Sequence, residues 1–336
     1  MPESYLGIDV HKKQCVFTEI DSKGKILRRG RFGNTFGEVA DFCSTLSRRA
    51  NVVLEPVLNY LWLLDHLEPY VKSVHVATPY KVRVIAESKS KTDKYDSRVL
   101  AELLRTNFLP EGWVPPLLIR RLRVMVRQRR HLVKSVVMNK NRIRHLLFEH
   151  GFEVSVSDIS SRKAKRIISQ LPLPATTRGA VDGCLYMIGH FEKLIEKAED
   201  DIRRSVEGNK TVALLETIPG IAQTRSAIIY AEIGDISRFH SPKALANYTG
   251  LIPQVRSSGD SVWRGGITNV GSKPLRYALV EAAIDAVRAS QPLSRLYYRI
   301  LFRSNRQKAR VAVARKLAII VYHMLSRGEA FRAEEG

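Results

Sequence analysis

Asp93 and Asp96 stand three residues apart in Lys91-Thr-Asp-Lys-Tyr-Asp-Ser-Arg98. On a helix that spacing puts both carboxylates on one face. Two acids so close among lysines and an arginine either begin a solvated helix, with Asp93 as a cap, or bind something that needs hard oxygen donors. Two further acids end strand-like runs far upstream: Asp9 in Gly7-Ile-Asp-Val10, and Glu55 in Val52-Val-Leu-Glu55 before Pro56. If those strands are central neighbours, four carboxylates from three places in the chain gather at one sheet end. Such a set can hold two Mg²⁺ ions roughly 3.5–4 Å apart, which stabilises the attacking and leaving oxygens of an in-line phosphoryl transfer.

The composition points to the polyanion such chemistry needs. The chain has 336 residues, 44% of them apolar, with 55 Lys and Arg against 33 Asp and Glu and a net charge of +22. That length predicts two or three domains, and that charge implies a nucleic acid as partner. A membrane surface is the rival, but no run of 18 apolar residues or leader-like segment is present, and Pro2, Glu3 and Ser4 lead directly into a strand-like stretch. Cys15, Cys43 and Cys184 form no CxxC pair. They fit structural thiols in a reduced cytoplasm better than zinc ligands or disulfides, and a DNA partner would place the protein at the nucleoid.

The elements that must position the acids can be read from hydrophobic period. Residues 5–10, 14–20 and 25–32 read as strands, 38–48 as helix, 51–56 as strand, 58–67 as helix and 73–79 as strand, with helix to about Phe108. The order βββαβαβα predicts an α/β domain with a mixed sheet over residues 1–112. With acids on the first strand, the fourth strand and the last helix, it resembles the RNase H and RuvC-resolvase nuclease fold. Trp113-Val-Pro-Pro116 marks a boundary. Residues 113–210 then read as a helical arm. A helix over 117–150 carries an apolar stripe of Leu122, Val126, Val133, Val136, Ile143 and Leu147, and ten Lys and Arg lie between Arg120 and Arg144. Its cations, Arg120, Arg121, Arg123, Arg127, Arg130 and Lys134 among them, are candidates for phosphate contacts rather than plain solvation. Cys184, Ile188, Phe191, Ile195, Ala198 and Ile202 recur at alternating spacings of four and three, a coiled-coil seam that pairs with the basic helix or with a second subunit. Residues 211–336 read as a compact helical domain with one polar loop.

A family resemblance now becomes specific. GIDVHK (7–12), VLEP (53–56) and KTDKYDSRVLAELL (91–104) resemble the amino-terminal domain of the DEDD transposases of the IS110 and IS1111 insertion sequences, relatives of the pilin-gene invertase. Glu216-Thr-Ile-Pro-Gly-Ile221, Tyr248-Thr-Gly-Leu-Ile-Pro253, Ser257-Ser-Gly259, Arg264-Gly-Gly-Ile267 and Ala314-Arg-Lys-Leu317 follow the family's carboxy-terminal signature in order. The chain departs from it at Ala222, where the helix-hairpin-helix turn often has a second glycine, and at 56–60, which lacks the usual Thr-Gly.

The resemblance implies a DNA transposase or site-specific recombinase. It identifies Asp9, Glu55, Asp93 and Asp96 as the metal-binding acids and Ser258 as the serine nucleophile, with Ser257 and Ser261 as its neighbours. It also implies a structured bridge RNA that pairs with donor and target DNA, and a homo-oligomer, dimer to tetramer. Arg256 and Arg264 then become candidates to hold the phosphate under attack. Strand exchange of this kind conserves bond energy, and no Walker motif is visible. Two alternatives remain at this level. A metal-dependent junction nuclease would use water as its nucleophile, and a non-catalytic nucleic-acid-binding protein would use neither.

Overall fold

The computed structural model describes residues 3–57, 59–85, 93–258, 261–268 and 270–333, without the side chains of 80, 83, 84, 93–95, 254–258 and 261–265. The chain divides into two compact units, Met1–Val114 and Pro115–Gly336.

In the first unit, β1 (Ser4–Val10), β2 (Gln14–Asp21) and β3 (Ile26–Gly33) form an antiparallel meander. The turn between β2 and β3 is closed by the Asp21 carboxylate, which accepts from the backbone N–H groups of Lys23 and Lys25. Helix α1 (Phe36–Ser44), β4 (Ala50–Leu54), α2 (Tyr60–Leu67), β5 (Ser73–Val76), α3 (Pro79–Ile85) and α4 (Asp93–Arg105) follow. The sheet order is β3-β2-β1-β4-β5, with β4 parallel to both β1 and β5. The sheet is therefore mixed, with Asp9 one residue before the end of β1 and Glu55 one residue after the end of β4.

Strand alternation assigns the two sheet faces. Leu6, Ile8, Val10, Val52 and Leu54 point to one core, closed by Val39, Phe42 and Cys43 of α1 and Leu63, Leu64 and Leu67 of α2. Gly7 and Val53 belong to the other face, where Val53 packs with Leu100 of α4. At Gly7 the helix backbone comes so close that a Cβ would lie 2.0 Å from the Ser97 carbonyl oxygen and 2.7 Å from the Ala101 nitrogen. Only glycine admits that approach. The buried hydroxyls of Thr18 and Ser97 share a hydrogen bond of 2.9 Å across the same contact.

The second unit is mainly helical. Helix α5 (Leu117–Phe148), α6 (Arg162–Gln170) and α7 (Ala175–Ser205) come first. Helices α5 and α7 run antiparallel, since Arg129 pairs with Glu199 at 2.7 Å while His150, just past α5, meets Thr177 at 2.8 Å. Val136, Ile143 and Leu147 face Val181, Cys184 and Ile188 in one cluster. Leu132 is buried where the sequence stripe placed Val133, which is half-buried. Then come α8 (Lys210–Glu216), α9 (Gln223–Ile233), α10 (Pro242–Thr249), β6 (Pro253–Ser258), β7 (Ser261–Ile267), α11 (Lys273–Ala289), α12 (Gln291–Arg303) and α13 (Arg306–Arg327). Their core is built on α11 and α13, with Leu275, Leu279, Ala282, Val313, Leu317 and Val321 fully buried.

The sequence placed a polar loop after α10. The structure forms a two-stranded antiparallel hairpin there, β6 with β7. Its strands are short, carry three serines, Ser257, Ser258 and Ser261, and pair irregularly between Pro253 and Val255, so the alternation that marks a strand is broken.

Among the described residues no helix is long and apolar enough to cross a membrane.

Candidate active site

Asp9 is the ninth residue of the chain and the sixth of β1, and 7% of its side chain is exposed. It shares a face with Gly7, two residues earlier, so it points to the side covered by α4. Ile8 pairs with Leu54 in the parallel register of β1 and β4, and the Glu55 N–H continues the ladder by donating to the Ile8 carbonyl at 3.3 Å. Glu55, half-buried, thus follows β4 directly beside Asp9.

Helix α4 brings the second pair to the same end. Ser97 and Ala101 lie over Gly7, while Glu102 lies near Gly24 in the β2–β3 turn and Arg105 donates to the Ser22 carbonyl at 3.3 Å. That turn adjoins the Ser4 end of β1, because Ser4 pairs with Asp21. Helix α4 therefore runs back along β1, and its first turn sits toward the carboxyl ends of β1 and β4. Asp93 opens that turn and Asp96, half-buried, completes it. The Asp93 side chain lies outside the described residues, as do Lys89, Lys91 and the Lys94 side chain.

His11 was not singled out by sequence reasoning, yet its Nε2 lies 3.1 Å from Asp9 Oδ2. The signal was present in Asp9-Val-His11, where the two side chains project the same way past the strand end. Cys15, paired with Val10, is fully buried, and burial pushes its thiol up to about 12, with the Asp9 charge adding to the effect and a backbone hydrogen bond at His11 opposing it. It belongs to the core on the sheet face opposite Asp9, with Leu6, Ile8 and Val10.

Among the described residues no group of three or more His, Cys, Asp and Glu closes a metal cage. The donor set does fit a hard divalent cation. Asp9 and Glu55 are carboxylates on adjacent strands at a covered sheet end, and Asp96 comes from the helix that covers it. Those residues would hold the ion and leave room for substrate oxygens.

In the second unit Ser258 ends β6 and pairs with Ser261, which places it at the tip of the hairpin. In the register Arg256 faces Trp263, and Val255 faces Arg264. The side chains of Ser258, Arg256 and Arg264 lie outside the described residues. The base of the hairpin is closely held. The Thr268 N–H donates to the Ile252 carbonyl at 2.9 Å, and Ser272 N–H to Tyr248 at 2.9 Å. Gly250 ends α10 with φ 69°, where a Cβ would meet the Val270 oxygen at 2.2 Å. Arg276 donates to the Thr249 carbonyl at 3.0 Å, and its burial lowers its pKa.

The α5 cations divide into two kinds. Arg123 Nε donates to the Ala231 carbonyl at 2.7 Å and its Nη2 to Glu232 at 3.0 Å, which satisfies the carboxyl end of α9. Burial lowers its pKa. Arg127 holds the Glu232 carboxylate with two nitrogens, at 3.0 and 3.2 Å, and Ser272 adds a third bond at 3.1 Å. Glu232 is 1% exposed, so this pairing is what makes its burial tolerable. Arg130 lies over the Tyr277 ring at 5.6 Å. Arg121 and Lys134 are exposed and Arg120 is half-buried. Arg142 and Arg144 of the same helix are exposed as well. Sequence reasoning did not find Glu232, because its partners Arg127 and Ser272 are 105 and 40 positions away along the chain.

Strand-end acids, a covering helix with two more acids, and a strongly basic chain define a phosphodiester-processing enzyme of the DEDD class. Residues 6–151 match the DEDD transposase domain named for IS110, and residues 212–299 match the Transposase IS116/IS110/IS902 family. The chain belongs to the IS110 family of DEDD transposases, enzymes of DNA recombination. It is 26% identical to the transposase for insertion sequence element IS1111A of Coxiella burnetii, over 97% of this chain and 91% of that one. It is 24% identical to the transposase for IS1328 of Yersinia enterocolitica, over 97% and 98%. It is 26% identical to the pilin gene-inverting protein of Moraxella bovis, over 98% of each. Membership implies DNA as substrate, a RuvC-like fold for the first unit and dependence on a divalent metal.

Proposed function

We propose that this transposase exchanges DNA strands through a covalent phosphoserine link. Ser258 Oγ attacks a DNA phosphodiester, the new O–P bond replaces the bond to one deoxyribose oxygen, and that oxygen leaves as a free hydroxyl after taking a proton. A second DNA hydroxyl later displaces the serine, so bond energy is conserved. Asp9, Glu55, Asp93 and Asp96 hold Mg²⁺, which supplies charge stabilisation to the attacking and leaving oxygens when bound. Arg256 and Arg264 hold the non-bridging phosphate oxygens.

The observation that carries this reading is the convergence of β1, β4 and the start of α4 at one sheet end, each bearing its acid in the family's order. The likeness to a pilin gene-inverting protein supports conservative strand exchange over simple cutting. In the same reading the antiparallel α5 and α7 form a coiled-coil arm, α8 and α9 form a helix-hairpin-helix, and residues 113–210 and 211–336 act as separate domains. Arg120, Arg121, Arg130 and Lys134 meet nucleic-acid backbone, including a structured guide RNA. Arg123 and the exposed Arg127 brace that surface through their bonds to the end of α9 and to Glu232. The active assembly is a dimer that pairs into a tetramer.

The test is to trap the adduct on nicked suicide DNA. Wild type, Ser257→Ala and Ser261→Ala are expected to form a protein–DNA link, and Ser258→Ala is expected to form none. An adduct retained by Ser258→Ala overturns the assignment of the nucleophile. Cleavage by wild type with no adduct would instead favour water as the nucleophile.

A further inference from the structure

Between Asp285 and Glu329 the chain has ten Lys and Arg and no Asp or Glu. Helix α12 lies in that stretch. Its inner face is apolar, with Leu293 buried and Leu296 and Tyr297 packed on the core. Its outer face repeats cation and aromatic ring at helical spacing: Arg295, Tyr298, Arg299, Phe302, Arg303 and, just past the helix, Arg306, all of them exposed. Phe302 is 97% exposed and Tyr298 60%. Tyr297 meets Tyr298 edge to face at 5.4 Å and steadies it. The two outer rings are one helical turn apart, about 6 Å along the axis.

One exposed ring is ordinary. Two rings set between arginines, with no acid on the helix, are complementary to a strand that offers base faces and phosphates together. A duplex offers phosphates but keeps its base faces stacked inside. We propose that the outer face of α12 is a site for an unpaired DNA strand, with bases stacked on Tyr298 and Phe302 and phosphates on Arg295, Arg299 and Arg303. The proposal rests on DNA being the substrate, and it names the state of that DNA at this surface: the strand released when a recombining site opens.

The test uses the full chain in EDTA, so that no chemistry occurs. A labelled single-stranded DNA oligonucleotide, the same sequence as duplex and the same sequence as single-stranded RNA are titrated at one salt concentration. Tyr298→Ala with Phe302→Ala is expected to weaken single-stranded DNA by about tenfold or more while duplex affinity changes less than about twofold. Phe302→Trp is expected to retain binding, and a 2-aminopurine in the strand is expected to lose its quenching only in the double alanine variant. Both positions are exposed, so thermal melting should be unchanged. Equal losses for strand and duplex, no loss for either, a loss confined to RNA, or a change in oligomeric state without loss of DNA affinity would each overturn the proposal. Because binding is read without metal, a failure of the Ser258 assignment leaves this result untouched, and the reverse also holds.

Discussion

Asp9 has groups of opposite character on the two faces of the sheet. His11 approaches its carboxylate at 3.1 Å, and behind the sheet the buried Cys15 belongs to the apolar core of the opposite face. His11→Ala should leave the fold intact but lower the rate of strand cleavage by roughly tenfold, as a positioning residue rather than a ligand would. A Mg²⁺ titration that shifts to higher concentration in the variant would support that role, and an unchanged titration and rate would remove it. Burial raises the thiols of Cys15, to about 12, and of Cys43. Both should therefore resist iodoacetamide in the native protein at pH 8 and react fully once it is unfolded, which mass spectrometry can count. The acids themselves were legible from the sequence because each ends or begins an element. His11 and Glu232 were not, since their importance comes from contacts that only the fold creates.

At the scale of elements, the contact of α4 with β1 determines whether two of the acids reach the other two. Gly7→Ala would put a Cβ 2.0 Å from the Ser97 carbonyl oxygen. It should cost about 1–3 kcal/mol of stability and reduce cleavage far more than Val53→Ala does at the same contact. Urea denaturation and a cleavage assay on both variants check this, and equal loss of activity in the two would argue against a role for helix placement. In the α5–α7 pair, Ile188→Ala should cost about 2–4 kcal/mol, read by thermal melting. Near the far end of that pair, Lys140 and Ser160 hold the Asp158 carboxyl down to about 2. The folded value is depressed, so the stabilisation is present above the unfolded value of about 3.9 and is lost as pH falls toward about 2. Exposure limits it to under about 1 kcal/mol, and Asp158→Asn should remove that pH dependence. Periodicity revealed the long helices and the parallel strands because each buries a regular face. It missed the β6–β7 hairpin because serines and glycines interrupt the alternation there.

Over the whole molecule, a net charge of +22 predicts binding dominated by phosphate contacts. Affinity for duplex DNA should fall by on the order of 10³ between 50 and 200 mM salt, and a slope near zero would mean that the charge serves another partner. The family of the chain was readable from its motifs. The proposed partnership of Ser258 with the acids was not legible from spacing, because the two stretches lie in different units of the chain. The central claim is that four acids from three separate stretches act as one set on DNA. The most direct measurement is strand cleavage and DNA affinity, side by side, for Asp9→Asn, Glu55→Gln, Asp93→Asn and Asp96→Asn. Each is expected to lose cleavage by at least about a hundredfold while binding DNA as tightly as wild type. Full cleavage by any one of the four would contradict the account.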